Sequence, residues 1–557
     1  MIFRHLPIRD KILLERTCSK WQVLLKASWT RFYDLDLSEE SWGIQPLYTV
    51  DNKIISSVSK DANLMNSILK RCGIYLKSIN FNANKMLPCC ANLCEFDCSK
   101  NCVLQLISEK CVRLTAIDIR ICCVDGLNNL AEKCIFLESI KFVGLNYFNA
   151  TIVNRSLRAI IQKNLNLKSL KLIDVKSVSF LDNVKQELEK LRLSLRMENL
   201  LDPHDILTEC IKKSHHSLIE FTLEVFSLDF NKLLNVLPLC SNLTKLKIHV
   251  EMFVNNYTES QFSKIFLQCR NIEHISIKGL YCDSENSDSG HLTSYGSVHW
   301  IHQVNTQILK KLQLEATIVA TKFVILKELP IFINLQYLSL NSIMSDDDRK
   351  ICDSISMCIN LVKLQIARCN FLMKTSEGNY FLMHLNKLKD LTVIQYNNCE
   401  LNENALVNCI GTNLHYLDKL TLGLLNLTDS GIDALTNLKK LRSLSILENE
   451  NLIGNALYKL SKLQYFKCRE CYKIQDESLK LLIKEAKKLE KLIIQHCPNI
   501  THEVVKFAIE EKKSGMKDQV VLSIEGNLYD QTINDYKYTY LGIKLDLSYF
   551  DESMLSW

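Results

Sequence analysis

Along most of the chain, apolar residues recur at the first, fourth and sixth positions of a short string, with polar residues between them. The strings begin at Leu76, Leu93, Leu114, Leu137, Leu167, Leu188, Leu218, Leu243, Ile272, Leu309, Leu335, Leu361, Leu388, Leu417, Leu441, Leu463 and Leu489. Between the first and last of these lie 413 residues in 16 intervals, about 26 residues per repeat. Apolar residues two apart point to one face of a strand, so each string predicts a short strand with one buried side. Val521-Leu522-Ser523-Ile524 reads as an eighteenth. Helical spacing fills the gaps: Leu479, Leu482, Ile483 and Ala486 fall on one face behind a capping Asp476, and Asp202-Pro203 opens another helix. One strand and one helix per repeat cannot bury their apolar faces alone, so neighbours must stack. The expected fold is an α/β solenoid, a curved horseshoe with a parallel sheet on the concave face and helices on the convex one.

Cysteine marks the same register. It stands three residues before the first apolar position at Cys90, Cys111, Cys134, Cys240, Cys269 and Cys358, and three after the last at Cys369, Cys471 and Cys497. The segment from Leu463 through Phe466, Cys468, Cys471 and Asp476 to Leu479 resembles the cysteine-containing subtype of leucine-rich repeat. Repeats are expected over residues 76–515, with a connector or cap over 38–75 and a terminal strand and cap or tail over 516–557. Spacings range from 17 to 37 residues, the longest holding the polar stretch from Tyr281 to Asn305, read as a loop.

Before the repeats, Ile2-Phe3-Arg4-His5-Leu6-Pro7-Ile8-Arg9-Asp10 leads into Lys11 to Ala27. This reads as one amphipathic helix with Leu14, Cys18, Trp21 and Leu25 on a shared face. Such a helix is too short to stand alone and must pack on the solenoid or on a partner. The segment 1–37 resembles an F-box, a module that accompanies cysteine-containing leucine-rich repeats. The resemblance matches Leu6-Pro7 to the family's internal leucine-proline and Cys18 and Trp21 to its C-x-x-W signature, with Pro7 opening a helix. It implies that Leu6, Pro7, Leu14, Cys18 and Trp21 form a core that binds a Skp-type adaptor and, through it, a cullin and a RING protein. The family usually carries an earlier leucine-proline-acidic helix, and Met1 follows the place where it would stand. Two readings stay open: the target-recognition subunit of a ubiquitin ligase, and a ligase-independent binding scaffold or inhibitor.

Composition narrows the field. Glycine and proline number 15 and 7, about 2.7% and 1.3% against averages near 7% and 5%, which sits poorly with glycine-rich phosphate loops. No Walker, dinucleotide or G-x-S-x-G motif occurs, so neither catalysis nor a cofactor is expected. The 23 cysteines, without an apolar leader after Met1, predict thiols in a reducing cytoplasm or nucleus. Neither a membrane nor nucleic acid is an expected partner: no window is long and apolar enough to span a bilayer, and a net charge of +6 over 557 residues is small. The cysteines Cys89, Cys90, Cys94, Cys98 and Cys102, and the pair Cys468 and Cys471, lack a second ligand pair and read as buried repeat residues rather than metal ligands. Asp346-Asp347-Asp348 reads as a helix cap.

Charge is informative where the repeat sends it to the concave face, at the third, fifth and seventh positions of each string. Fourteen basic and seven acidic residues occupy these slots, an excess equal to 14 − 7 = 7. Two patches stand out: Lys190, Arg192, Lys245 and Lys247, interrupted by Glu220 and Glu224, and Tyr465, Lys467, Arg469 and Lys491. A strip of one sign steers oppositely charged partners, so an acidic or phosphorylated protein target is expected there.

Overall fold

The computed structural model describes residues 8–36, 62–81, 103–120, 124–195, 204–228, 231–253, 264–265, 267–280, 305–320, 329–343, 348–369, 371, 378–395, 402–501, 503–513 and 521–525. The chain divides into two compact units, one formed by residues 1–257 and 264–271, the other by 258–263 and 272–557. Each is built of parallel strands joined by α-helices or short 3-10 turns.

In the first unit the strands are β1 (Asp34–Asp36), β2 (Ser78–Phe81), β3 (Ala116–Arg120), β4 (Ser139–Val143), β5 (Ser169–Val175), β6 (Lys190–Leu195), β7 (Glu220–Leu228) and β8 (Lys245–Phe253). Each pairs in parallel with the next, and the fourth repeat position falls in one line: Leu35, Ile79, Ile117, Ile140, Leu170, Leu191, Phe221 and Leu246. The second unit repeats the scheme with β9 (His274–Leu280), β10 (Lys311–Ala320), β11 (Tyr337–Ile343), β12 (Lys363–Ala367), β13 (Asp390–Gln395), β14 (Lys419–Leu424), β15 (Ser443–Asn449), β16 (Tyr465–Cys471), β17 (Lys491–Gln495) and β18 (Val521–Glu525). Here Ile275, Leu312, Leu338, Leu364, Leu391, Leu420, Leu444, Phe466, Leu492 and Leu522 share the line. Parallel neighbours need a crossover, and the helices supply it. Leucine-rich repeat architecture is therefore present in both units, with burial alternating along strands such as β4, β6, β12 and β16.

Several expectations need correction. The sheet starts earlier than Leu76, because β1 lies within the segment read as F-box and pairs with β2 through Leu35 and Ile79. The string at Leu93 lies outside the described residues, and β2 pairs directly with β3 with no strand between them. Asp476 does not cap its helix. Gln475 is the capping residue, and the Asp476 carboxylate instead accepts hydrogen bonds from the Thr501 N–H at 2.8 Å and hydroxyl at 2.5 Å, tying one repeat to the next. Its helix otherwise follows the reading, with Leu479, Leu482, Ile483 and Ala486 fully buried. Asp202, Pro203, Asp346, Asp347 and Cys89 to Cys102 lie outside the described residues.

The strand ends share one device. At the eighth position of the string, Asp174, Ser342, Arg368, Glu448, Glu470 and His496 all adopt left-handed backbone with φ between 50° and 62°. The next residue is buried at each of them, and where it is polar its side chain bonds the backbone. At Asn449, fully buried, the amide donates to the Leu424 and Leu427 carbonyls at 2.6 and 3.1 Å, while its oxygen accepts from the Asn451 and Leu452 N–H groups at 3.0 and 2.6 Å. In the same slot the Cys369 and Cys471 thiols donate to Leu340 and Ile446 one repeat back, both at 3.6 Å. Replacement Asn449→Ala strands four backbone groups, and loss of about 3 kcal/mol or more is expected in urea unfolding. A loss below about 1 kcal/mol would show that the bend does not depend on the amide.

A second linkage lies at Glu403, buried at the first turn of the helix Glu403–Asn413, where its carboxylate accepts from the Asn426 N–H at 2.7 Å. Burial raises its pKa to about 7 despite hydrogen bonds from Asn426, Leu427 and Leu425. With the folded value above the unfolded one, its contribution to stability is complete below the ordinary carboxylate range and is lost as pH rises through about 7. The urea midpoint should therefore fall between about pH 5 and about pH 8, and Glu403→Gln should flatten that fall. Parallel curves for both proteins would remove Glu403 as the cause.

Candidate protein-binding surfaces

At the N-terminus, the single helix expected from Lys11 to Ala27 is two. Helix α1 spans Ile8–Glu15 and α2 spans Ser19–Trp29. The break follows from local hydrogen bonding: the Thr17 hydroxyl donates to the Leu14 carbonyl at 2.7 Å, and Cys18 is extended, its thiol accepting from the Trp21 N–H at 3.5 Å as the cap of α2. The expected shared face dissolves with it. Leu14 is half-buried, Cys18 and Trp21 are exposed, and Leu25 is buried. Leu6 and Pro7 lie outside the described residues.

What holds this pair is a group the sequence reading passed over. Glu15 accepts from the Trp29 indole N–H at 2.5 Å and from Arg71 at 2.7 Å, so one carboxylate joins α1, α2 and the helix Ala62–Cys72. Trp29 is buried, and the Lys11 ammonium lies 5.4 Å from its ring and 4.6 Å from that of Phe32, burial lowering the lysine pKa. Four large apolar residues of the pair are exposed, among exposed Arg16, Lys20, Gln22 and Lys26. Leu13, Trp21, Val23 and Leu24 are 51%, 40%, 67% and 54% exposed.

Among the strands of the first unit, in-register pairing sets equivalent charges side by side. Lys190 pairs with Glu220 at 3.1 Å, and Arg192 and Lys247 both reach Glu224 at 3.1 Å. Burial alone would raise the Glu224 carboxyl, but Arg192 and Lys247 hold it below its ordinary value; Lys190, Lys245 and Lys171 do the same for Glu220. Lys141 pairs with Asp118 at 2.8 Å. Among the described residues Lys171 and Lys245 are in no ion pair, and burial followed by the neighbouring Lys190, Lys245 and Lys141 lowers the Lys171 pKa against the pull of Glu220. Among the described residues, these six cations face three carboxylates, and the Arg192 Nε is buried without a hydrogen-bond partner. The four residues named as a patch do come together, interleaved with acid.

The second patch is looser. Tyr465 and Lys491 are direct cross-strand partners, with the ammonium 5.9 Å from the ring, and Lys467 follows two residues on. Arg469, however, folds back onto its chain neighbour Glu470 at 2.9 Å, which leaves less of its charge facing outward.

The repeat cysteines are core residues. Cys111, Cys134, Cys240, Cys269 and Cys358 are buried, and burial pushes the last four thiols up to about 12. Cys468, Cys471 and Cys497 are buried together, and hydrogen bonding to Cys497, then burial, raises the first two. Among the described residues no group of three His, Cys, Asp or Glu side chains is placed to hold a metal ion. The sequence reading also missed an asparagine directly before the first apolar position. Asn242, Asn271, Asn334 and Asn360 donate to His216, Ser241, Gln307 and Ile333 one repeat back, at 2.6, 3.3, 2.7 and 2.6 Å. Its recurrence was the available signal.

No protein-family model matches the chain, and no curated protein sequence matches it. Solved structures similar to it include two internalins of Listeria monocytogenes. Internalin inlF is 15% identical, with 77% of this chain covering 89% of that one at a TM-score of 0.33. Internalin C2 is 17% identical, with 35% of this chain covering 74% of that one at a TM-score of 0.25. At these scores the assignment of leucine-rich repeats rests on the strands and their register described above.

Proposed function

We propose that the chain is the target-recognition subunit of a Skp–cullin–F-box ubiquitin ligase, acting in the cytoplasm or nucleus. Helices α1 and α2 dock a Skp-type adaptor and, through it, cullin and RING subunits. The repeat strands hold an acidic or phosphorylated protein target. The observation carrying this reading is the exposure of four large apolar residues on the helix pair, Leu13, Trp21, Val23 and Leu24, while Leu25 and Trp29 are buried and hold the pair. Exposed apolar residues gathered on a secured element favour a protein partner. The chain itself performs no chemistry. It acts by proximity, raising the effective concentration of a target lysine near a charged conjugating enzyme brought by other subunits.

The test is capture of purified Skp-type adaptor by the full chain. The double replacement Trp21→Ala and Val23→Asp should reduce capture at least about tenfold, a loss of about 1.4 kcal/mol, with the thermal midpoint unchanged because both side chains are exposed. Equal capture by variant and parent would remove the adaptor assignment.

For the target face, Lys245→Glu with Lys247→Glu places two more acids beside Glu220 and Glu224. Target capture should fall about tenfold at about 50 mM salt and by less at about 200 mM, while adaptor capture is untouched. Undiminished target capture at both salts would move the docking surface elsewhere.

A further inference from the structure

A second charged surface lies in the repeats of the other unit, away from the strand faces. Between the residues that enter β13, β14, β15, β16 and β17 runs a cleft of about 840 Å³. The backbone of its lining residues is tied by a chain of cross-strand hydrogen bonds: Asp418 N–H to the Lys389 carbonyl at 2.9 Å, Arg442 to Asp418 at 2.9 Å, and Gln464 to Arg442 at 2.8 Å. Its walls carry seven lysines and arginines against two carboxylates, Asp418 and Glu485.

Compensation inside the cleft is small. Asp418 is taken by Arg442 at 2.5 Å, and Lys440 lies over the Tyr416 ring at 4.0 Å. Lys389, Lys439, Lys462, Lys487 and Lys488 line the rest, all exposed and none in an ion pair among the described residues. Excess charge gathered along a cleft concentrates positive potential, and an anion gains most there.

We propose that this cleft binds an extended acidic peptide segment of a protein partner, at a site separate from the strand faces and from α1 and α2. Extent argues for a chain rather than a small anion. The lysines are spread across five strands, four intervals of about 4.8 Å or about 19 Å, whereas a single phosphate needs donors that converge on one point. An extended peptide covers that distance with about six residues. The lining argues against single-stranded nucleic acid, which gains much of its affinity by stacking bases on aromatic rings. Tyr416 is the aromatic residue in the lining, and Lys440 covers one face of its ring.

Binding of a fluorescein-labelled peptide of about six glutamates to the full chain, followed by fluorescence anisotropy, tests the site. Saturable binding that weakens as salt is raised from about 50 to about 200 mM is expected. The triple replacement Lys439→Glu, Lys462→Glu and Lys488→Glu should weaken it at least about tenfold. Lys245→Glu with Lys247→Glu should leave it unchanged, and the triple variant should keep adaptor capture, so failure here and failure of the ligase reading are separable. If the triple variant does not fold, Lys487→Gln with Lys488→Gln serves instead, with a weakening of about threefold expected. No saturable binding by the parent, or equal affinity of parent and folded variant, would overturn the proposal. So would tighter binding of a hexauridylate than of the peptide, which would assign the cleft to nucleic acid.

Discussion

In-register parallel pairing is the constraint from which the rest follows. When each strand sits beside its neighbour without a shift, residue four meets residue four and residue six meets residue six, about 4.8 Å apart. Leucine on leucine then makes a continuous core, and the eighth-position bend and the buried residue after it recur because the backbone recurs. The same rule acts on the polar face, where it is less forgiving. Lysines in equivalent slots would line up in a row of like charge, and in the first unit Glu220 and Glu224 on β7 separate the cations of β6 from those of β8. Polar positions on such a sheet are coupled to their neighbours by geometry.

Much of this was legible in the chain because the core pattern is repeated and each copy reports on the others. Seventeen strings gave sixteen described strands in the expected places, and the Val521 string gave one more. Features depending on a single event were harder. The break between α1 and α2 turns on Thr17 and Cys18 choosing local backbone partners over continuation of a helix, and hydrophobic spacing carries no trace of that choice. Strand β1 was hidden because Leu35 stands apart from the repeat array, its partner Ile79 being 44 residues away in sequence.

The charged surfaces show the same division. Lys190, Arg192, Lys245 and Lys247 were found because repeat slots name the strand face. The cleft lysines were not. Lys439-Lys440, Lys462 and Lys487-Lys488 sit just before leucines, where a sequence reads as a solvated turn, and only stacking of successive repeats gathers Lys439 with Lys462 and Lys488. Glu15 belongs with them: an unremarkable acid at a helix end becomes the joint of three helices once Trp29 and Arg71 are brought to it.

The left-handed residues at the strand ends bear on how such a surface changes over generations. A non-glycine residue in that conformation costs about 1–2 kcal/mol, while glycine there would cost about 0.5–1 kcal/mol in lost chain freedom. The two costs differ by about 0.5–1 kcal/mol, so selection for stability has only a weak grip on which residue stands at these bends. Aspartate, serine, arginine, glutamate and histidine all occur. These bends are thus positions that can drift in charge and size at small thermodynamic consequence, and specificity for a partner could be rewritten there while the leucine core stays untouched.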